Sequence, residues 1–102
     1  MYKYTGSVLA IGDDPVRLSQ NRLNFRIYPN PVSEKLFVEC KRNIDKPLQY
    51  TLYDLAGKAV LQERSIRDRF EINVQFLSRA VYFLKIFNAY DIGVALEKII
   101  VN

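Results

Sequence analysis

The chain has 102 residues, 49% of them hydrophobic and 25% charged, with a formal net charge of +4 at pH 7. One domain with a single core fits that length, and the near-average composition excludes disordered and fibrous classes. The sequence holds no histidine, which removes the commonest general base and metal ligand, and no apolar run reaches the roughly 18 residues of a membrane helix.

At the front, "MYKYTGSVLAIG" lacks the continuous apolar region of a secretory signal. Residues 2–10 are read either as a remnant of an upstream element or as an extra edge strand. "GDDPVRLSQNRLN", from Gly12 to Asn24, is polar and interrupted by Pro15, so it predicts a linker. Its adjacent Asp13 and Asp14 splay apart and lack the burial that raises a carboxyl pKa, so they read as solubilising. The predicted organisation is therefore an N-terminal segment and linker over 1–24 and one folded domain over 25–102.

"RIYPNPVSEKLFVE" follows. Pro29 and Pro31 remove two backbone donors and push Tyr28 and Asn30 away from the helical region. The stretch is predicted to be a rigid corner between a short strand at Phe25–Tyr28 and a strand starting near Lys35. Beyond it the pattern has period two. "KLFVECK" places Leu36, Val38 and Cys40 on one face, and "PLQYTLYD" does so with Leu48, Tyr50 and Leu52. The single Cys40 cannot form an internal disulfide and reads as a buried, inert thiol.

Asp54-Leu55-Ala56-Gly57 matches a type I turn with Asp at its first position and Gly supplying a positive φ at its last, which makes a hairpin. In the return strand, "KAVLQERS", Ala59 and Leu61 compete with Val60 for the inward face, and the pattern leaves the register open. "RFEINVQ" points Phe70, Ile72 and Val74 inward; "AVYFLKIFN" is apolar on both faces, as a central strand is; "VALEKIIV" is apolar enough to be docked rather than frayed.

Seven strands at this spacing predict an all-β fold, an antiparallel two-sheet sandwich. Leu77 followed by Tyr82 resembles the tyrosine corner of immunoglobulin-like and fibronectin-like sandwiches, although Tyr82 serves equally as plain core.

Chemistry is sparse. Cys40 has no histidine to pair with, and there is no glycine-rich phosphate loop, nucleophile elbow, zinc-ligand spacing or calcium loop. Arg64, Arg67 and Arg69 around Asp68 lack the interleaved aromatics of a nucleic-acid surface and read as an exposed loop. The expectation is a protein that is not an enzyme, with no catalytic residue, metal or cofactor, no nucleic-acid partner and no membrane insertion.

Four motifs in order, "IYPNP", "YDLAGK", "LSRAVYFLKI" and "EKIIVN", resemble the C-terminal sorting domain of type IX secretion substrates over roughly Leu23 to Asn102. The resemblance implies an immunoglobulin-like sandwich that acts as an export address. It would direct an attached cargo through the periplasm and across the outer membrane to the cell surface or the medium. Its partners would be the type IX translocation machinery and a sortase-like peptidase. Position by position, Tyr28, Pro29, Asn30 and Pro31 match the family's leading motif. Asp54 and Gly57 match its turn, and Leu77, Val81, Tyr82, Leu84 and Ile86 its penultimate strand. Lys98, Ile99 and Val101 match its closing strand. Taken singly, each of these residues is read as scaffold, and function is assigned to the whole folded surface and the C-terminal end rather than to any side chain. Family members usually carry Gly where this chain has Ala80; if that position requires a positive φ, Ala costs about 1 kcal/mol.

On this reading the linker, with Gly12, Asp13, Asp14, Pro15, Ser19, Gln20 and Asn21, is the processing region, because a peptidase needs extended, accessible backbone. The missing export signal makes the sequence read as a fragment of a longer precursor. The rival reading is an immunoglobulin- or fibronectin-like binding or spacer module of a surface protein, told apart by its position within the whole protein.

Overall fold

The structure, a computed structural model, describes residues 24–102. The predicted linker positions Gly12, Asp13, Asp14, Pro15, Ser19, Gln20 and Asn21, and residues 2–10, lie outside the described residues.

The period-two segments all become strands: β1 (Phe25–Tyr28), β2 (Lys35–Cys40), β3 (Leu48–Tyr53), β4 (Ala59–Ser65), β5 (Arg69–Asn73), β6 (Ala80–Phe87) and β7 (Gly93–Val101). They form two sheets, in the orders β1-β2-β5 and β4-β3-β6-β7, and every neighbouring pair is antiparallel. The result is the expected immunoglobulin-like sandwich, with β6 in the interior of its sheet between β3 and β7.

One face of each sheet turns inward and excludes water. Leu36, Val38 and Ile72 from the smaller sheet, with Val74 just past its β5 strand, meet Leu48, Leu52, Tyr82, Leu84, Ile86 and Ile99 from the larger. Fully burying a side chain of this size stabilises by about 1.5–3 kcal/mol. Phe70 and Tyr50 stack across the two layers, ring centroids 4.5 Å apart and 18° between planes.

The competition in "KAVLQERS" is settled by a β-bulge. Leu52 pairs with Leu61 and Tyr53 with Ala59, so Val60 is the extra residue. The bulge breaks the strict alternation, and both Val60 and Leu61 pack half-buried against the core. A second irregularity, between Ile86 and Phe87, leaves Val94 unpaired in β7.

Cys40 differs from its expected burial. It ends β2 beside Lys41 and Arg42, so its thiol is only half-buried, and Sγ lies 3.0 Å from the Arg42 carbonyl.

Tyr50 is buried, but its hydroxyl reaches the edge strand and donates to Glu63 Oε1 at 3.1 Å. Desolvation, reinforced by the Glu63 carboxylate, pushes the phenol up to about 12 from 10.0. Below pH 10 both folded and unfolded chains keep this proton. Between about 10 and about 12 the unfolded chain releases it and the folded one does not, so stability falls as pH rises through that window. Urea midpoints measured at about pH 9 and about pH 11 should drop more for the wild type than for Tyr50→Phe; equal drops would contradict this.

Candidate functional site

Strand register sorts the loops onto two poles. Phe25 pairs with Cys40 and Glu39 with Arg69, so the chain enters the sandwich at one pole, beside the β2–β3, β4–β5 and β6–β7 loops. That pole is knit by the Lys46 Nζ–Asp68 Oδ1 ion pair at 2.6 Å and by Ala89 N donating to the Asp45 carbonyl at 3.0 Å. The opposite pole carries the Pro29–Pro31 corner, the Asp54–Gly57 turn, the β5–β6 loop and the end of β7. Tyr28, Pro29, Asn30, Pro31, Asp54, Gly57, Leu77, Val81, Tyr82, Lys98, Ile99 and Val101, far apart in sequence, share this half of the sandwich. The molecule thus presents one end built from separated motifs and receives the chain at the other.

The prolines acquire a reason at this C-terminal pole. β7 is paired with β6 on one side only, so Lys98, Ile100 and Asn102 present backbone groups on its other edge. Asn30 Nδ2 donates to the Lys98 carbonyl at 2.7 Å, and Asn30 Oδ1 accepts from Ile100 N at 2.9 Å. The side-chain amide therefore stands in for a peptide unit. Two residues on, Val32 N donates to the Ile100 carbonyl at 2.8 Å, and the Val32 carbonyl accepts from Asn102 N at 2.9 Å. Val32 and Val101 form an isolated parallel bridge with both side chains buried.

Pro29 and Pro31 offer no N–H of their own, so neither competes with Asn30 for the strand's carbonyls. A proline after Tyr28 and after Asn30 keeps both extended, which suits a segment running alongside a strand. The Tyr28–Pro29, Asn30–Pro31 and Lys46–Pro47 peptide bonds are cis. Tyr28 is fixed on the outer face. It stacks on Phe37 at 5.5 Å, lies under the Arg26 guanidinium at 4.5 Å and donates to Glu39 Oε2 at 3.0 Å, a bond that raises its phenol pKa.

Two further motifs make the rest of the pole rigid. Gly57 takes φ +83°, where an L side chain costs about 1 kcal/mol, and Gly57 N donates to the Asp54 carbonyl at 3.0 Å. The Asp54 carboxylate accepts from Ala56 N and Lys58 N, both at 2.9 Å. The Tyr82 hydroxyl donates to the Ser78 carbonyl at 2.7 Å, four residues upstream, which is the geometry of a tyrosine corner. Ala80 opens β6 opposite Val101. Among the described residues Asp91, at φ 62°, is the sole non-glycine with positive φ, so Ala80 carries no penalty of the kind feared for it.

Val32, Ile100 and Asn102 are the participants that sequence reasoning passed over. The available signal was the asparagine itself, a side-chain donor and acceptor set between two residues that lack donors. The arrangement holds backbone and presents surface; it gathers no reactive groups. Among the described residues no group of three or more His, Cys, Asp and Glu could hold a metal ion, and no helix is long and apolar enough to cross a membrane.

Replacing Asn30 by Ala should lower stability by about 1 kcal/mol, and Asn30→Asp by a similar amount, since Asp loses the donor to Lys98 and sets a carboxylate against that carbonyl. Denaturant midpoints check this; no change in either variant would contradict the assigned bonds.

Comparison with known proteins bears on the domain as a whole. The family described as the secretion system C-terminal sorting domain matches residues 26–102. No curated protein matches the chain. A solved structure of PorZ, described as an essential bacterial surface component of the type IX secretion system of Porphyromonas gingivalis, is similar in fold, with a TM-score of 0.64 at 15% identity. The likeness covers 84% of this chain and 12% of that one, so this chain spans a small part of PorZ's length. Because the family match runs from within β1 to the last residue and takes in every strand of the sandwich, the chain belongs to the C-terminal sorting domain family of type IX secretion.

Proposed function

We propose that this domain is the export label of a larger type IX substrate, recognised as a folded body at its C-terminal pole. Family membership carries a sorting role, interaction with the type IX machinery, attachment to a cargo, and export across the outer membrane to the cell surface or beyond. The family is a non-catalytic module, and the reading assigns this chain no reaction.

The finer reading is that residues 25–102 are the label and residues 1–24 the tether. The cargo passes through the periplasm, and a sortase-like peptidase cuts the tether around Gly12, Asp13, Asp14, Pro15, Ser19, Gln20 and Asn21. The observation that supports it best is the separation of poles. The chain enters at Phe25, while Asn30 and Val32 hold the closing strand at the far end, so the label faces away from whatever precedes it. A strand-bound backbone is a poor peptidase substrate and a polar linker a good one.

Two outcomes test this. Mass spectrometry of exported cargo should place the new terminus between Ala10 and Leu23; cleavage inside a strand would reject the processing scheme. Removing Ile100, Val101 and Asn102 strips the partners of Val32 and one partner of Asn30, so cargo fused to this variant should collect in the periplasm. Normal export of the shortened, folded domain would contradict recognition at this pole.

A further inference from the structure

An antiparallel sheet with water on one side commonly turns polar residues outward, and β6 and β7 depart from that rule. Cross-strand register places Tyr53 beside Phe83, Phe83 beside Lys98 and Lys85 beside Leu96, all on the face turned away from the core. Phe87 shares that face, since the Lys85 ammonium lies over its ring at 5.1 Å. Tyr53, Phe83, Phe87 and Leu96 are half-buried and Ile100 is exposed, so the larger sheet carries an apolar patch outside the core as well as within it.

The charges in this patch have one sign. The outward positions of β3, β6 and β7 hold Lys85 and Lys98 and no carboxylate, because Glu97, paired with Leu84, lies on the inward side. The ion pairs among the described residues, Arg26–Glu39, Lys35–Glu71 and Lys46–Asp68, include neither lysine. A second copy of the chain would bring the same two cations, so self-association through this face sets like charges together.

The chain itself holds a segment of matching pattern within reach. Val8, Leu9, Ala10 and Ile11 are consecutive apolar residues, and Asp13 and Asp14, the only carboxylates in residues 1–23, follow directly after Gly12. The chain enters the sandwich at Phe25, at the pole where β7 begins. The ten steps from Asp14 to Asn24 span up to about 33 Å when extended. The nine residues of β7 cover about 30 Å, so the segment reaches any point along that strand.

We propose that residues 8–14 of this chain pack on the outward face of β6 and β7, with Val8, Leu9 and Ile11 against Phe83, Leu96 and Ile100 and with Asp13 and Asp14 facing Lys85 and Lys98. Docked this way, the segment leaves residues 15–23, with Ser19, Gln20 and Asn21, as the accessible part of the tether. That bearing on processing rests on the sorting reading, whereas the contact itself is tested without it.

A spin label attached to the full chain through Ser7→Cys, in a Cys40→Ser background, reads the contact by paramagnetic broadening. It should broaden the amides of Phe83, Lys85 and Lys98 and leave those of Phe37 and Glu71, on the outer face of the smaller sheet, sharp. Leu9→Ser/Ile11→Ser should lose the broadening. Lys98→Glu should weaken docking by about twofold or more at unchanged melting temperature, and adding Asp13→Lys/Asp14→Lys to it should restore the broadening. Uniform broadening, none at all, or a charge reversal that restores nothing would overturn the proposal. Broadening that passes from spin-labelled chain to isotope-labelled chain in a mixture would place a second copy on the face and overturn it as well. A chain that docks its segment yet exports no cargo in a bacterium with a type IX system would overturn the sorting reading and leave the contact standing.

Discussion

Four hydrogen bonds along the outer edge of β7 set the character of this domain. The groups in need of partners are the Lys98 carbonyl, both backbone groups of Ile100 and the Asn102 N–H. Asn30 satisfies two with its side-chain amide, and Val32 satisfies two with its backbone. A strand edge left open is a template for unwanted pairing, and a terminal strand left unanchored frays. The corner closes both routes at once over this stretch and seats Val32 and Val101 in the core. Its prolines make the arrangement selective, because they add no donors that compete with the amide between them.

From that constraint follows a division of the molecule. The pole opposite the chain's point of arrival is hydrogen-bonded at each of its parts: the corner to β7, the Asp54–Gly57 turn to itself, and the β5–β6 loop to Tyr82. If the domain is read as a shape, as proposed, such fixity serves it more than reactive groups would. The chemistry on offer is surface: exposed apolar residues at the turn and loop tips, and a β7 edge already occupied from Lys98 to Asn102. A sorting domain with no histidine is in keeping with that economy.

Local patterns carried most of the architecture. Phe70, Ile72 and Val74 alternate so strictly that their inward face is readable, and Asp54 with Gly57 specifies a tight turn that the positive φ at Gly57 bears out. Where an alternation is broken the reading stalls, as at Val60, because a bulge makes two neighbouring residues face inward together. Cys40 was read as buried from its place in the alternation, yet burial also depends on where the strand ends, and β2 ends there. The bonds of Asn30 to Lys98 and Ile100 span 68 and 70 residues. A contact of that range leaves no periodic trace, and its sole local sign was a polar side chain between two prolines.

The direct test is amide hydrogen exchange at Val32, Ile100 and Asn102 in the intact chain. If the corner holds the closing strand as described, these three amides exchange slowly, Val32 and Ile100 at rates comparable to the β6–β7 ladder. Exchange at the rates of an unstructured peptide, with the β6–β7 amides still protected, would mean that the end of the chain is free and that the account of the pole is wrong.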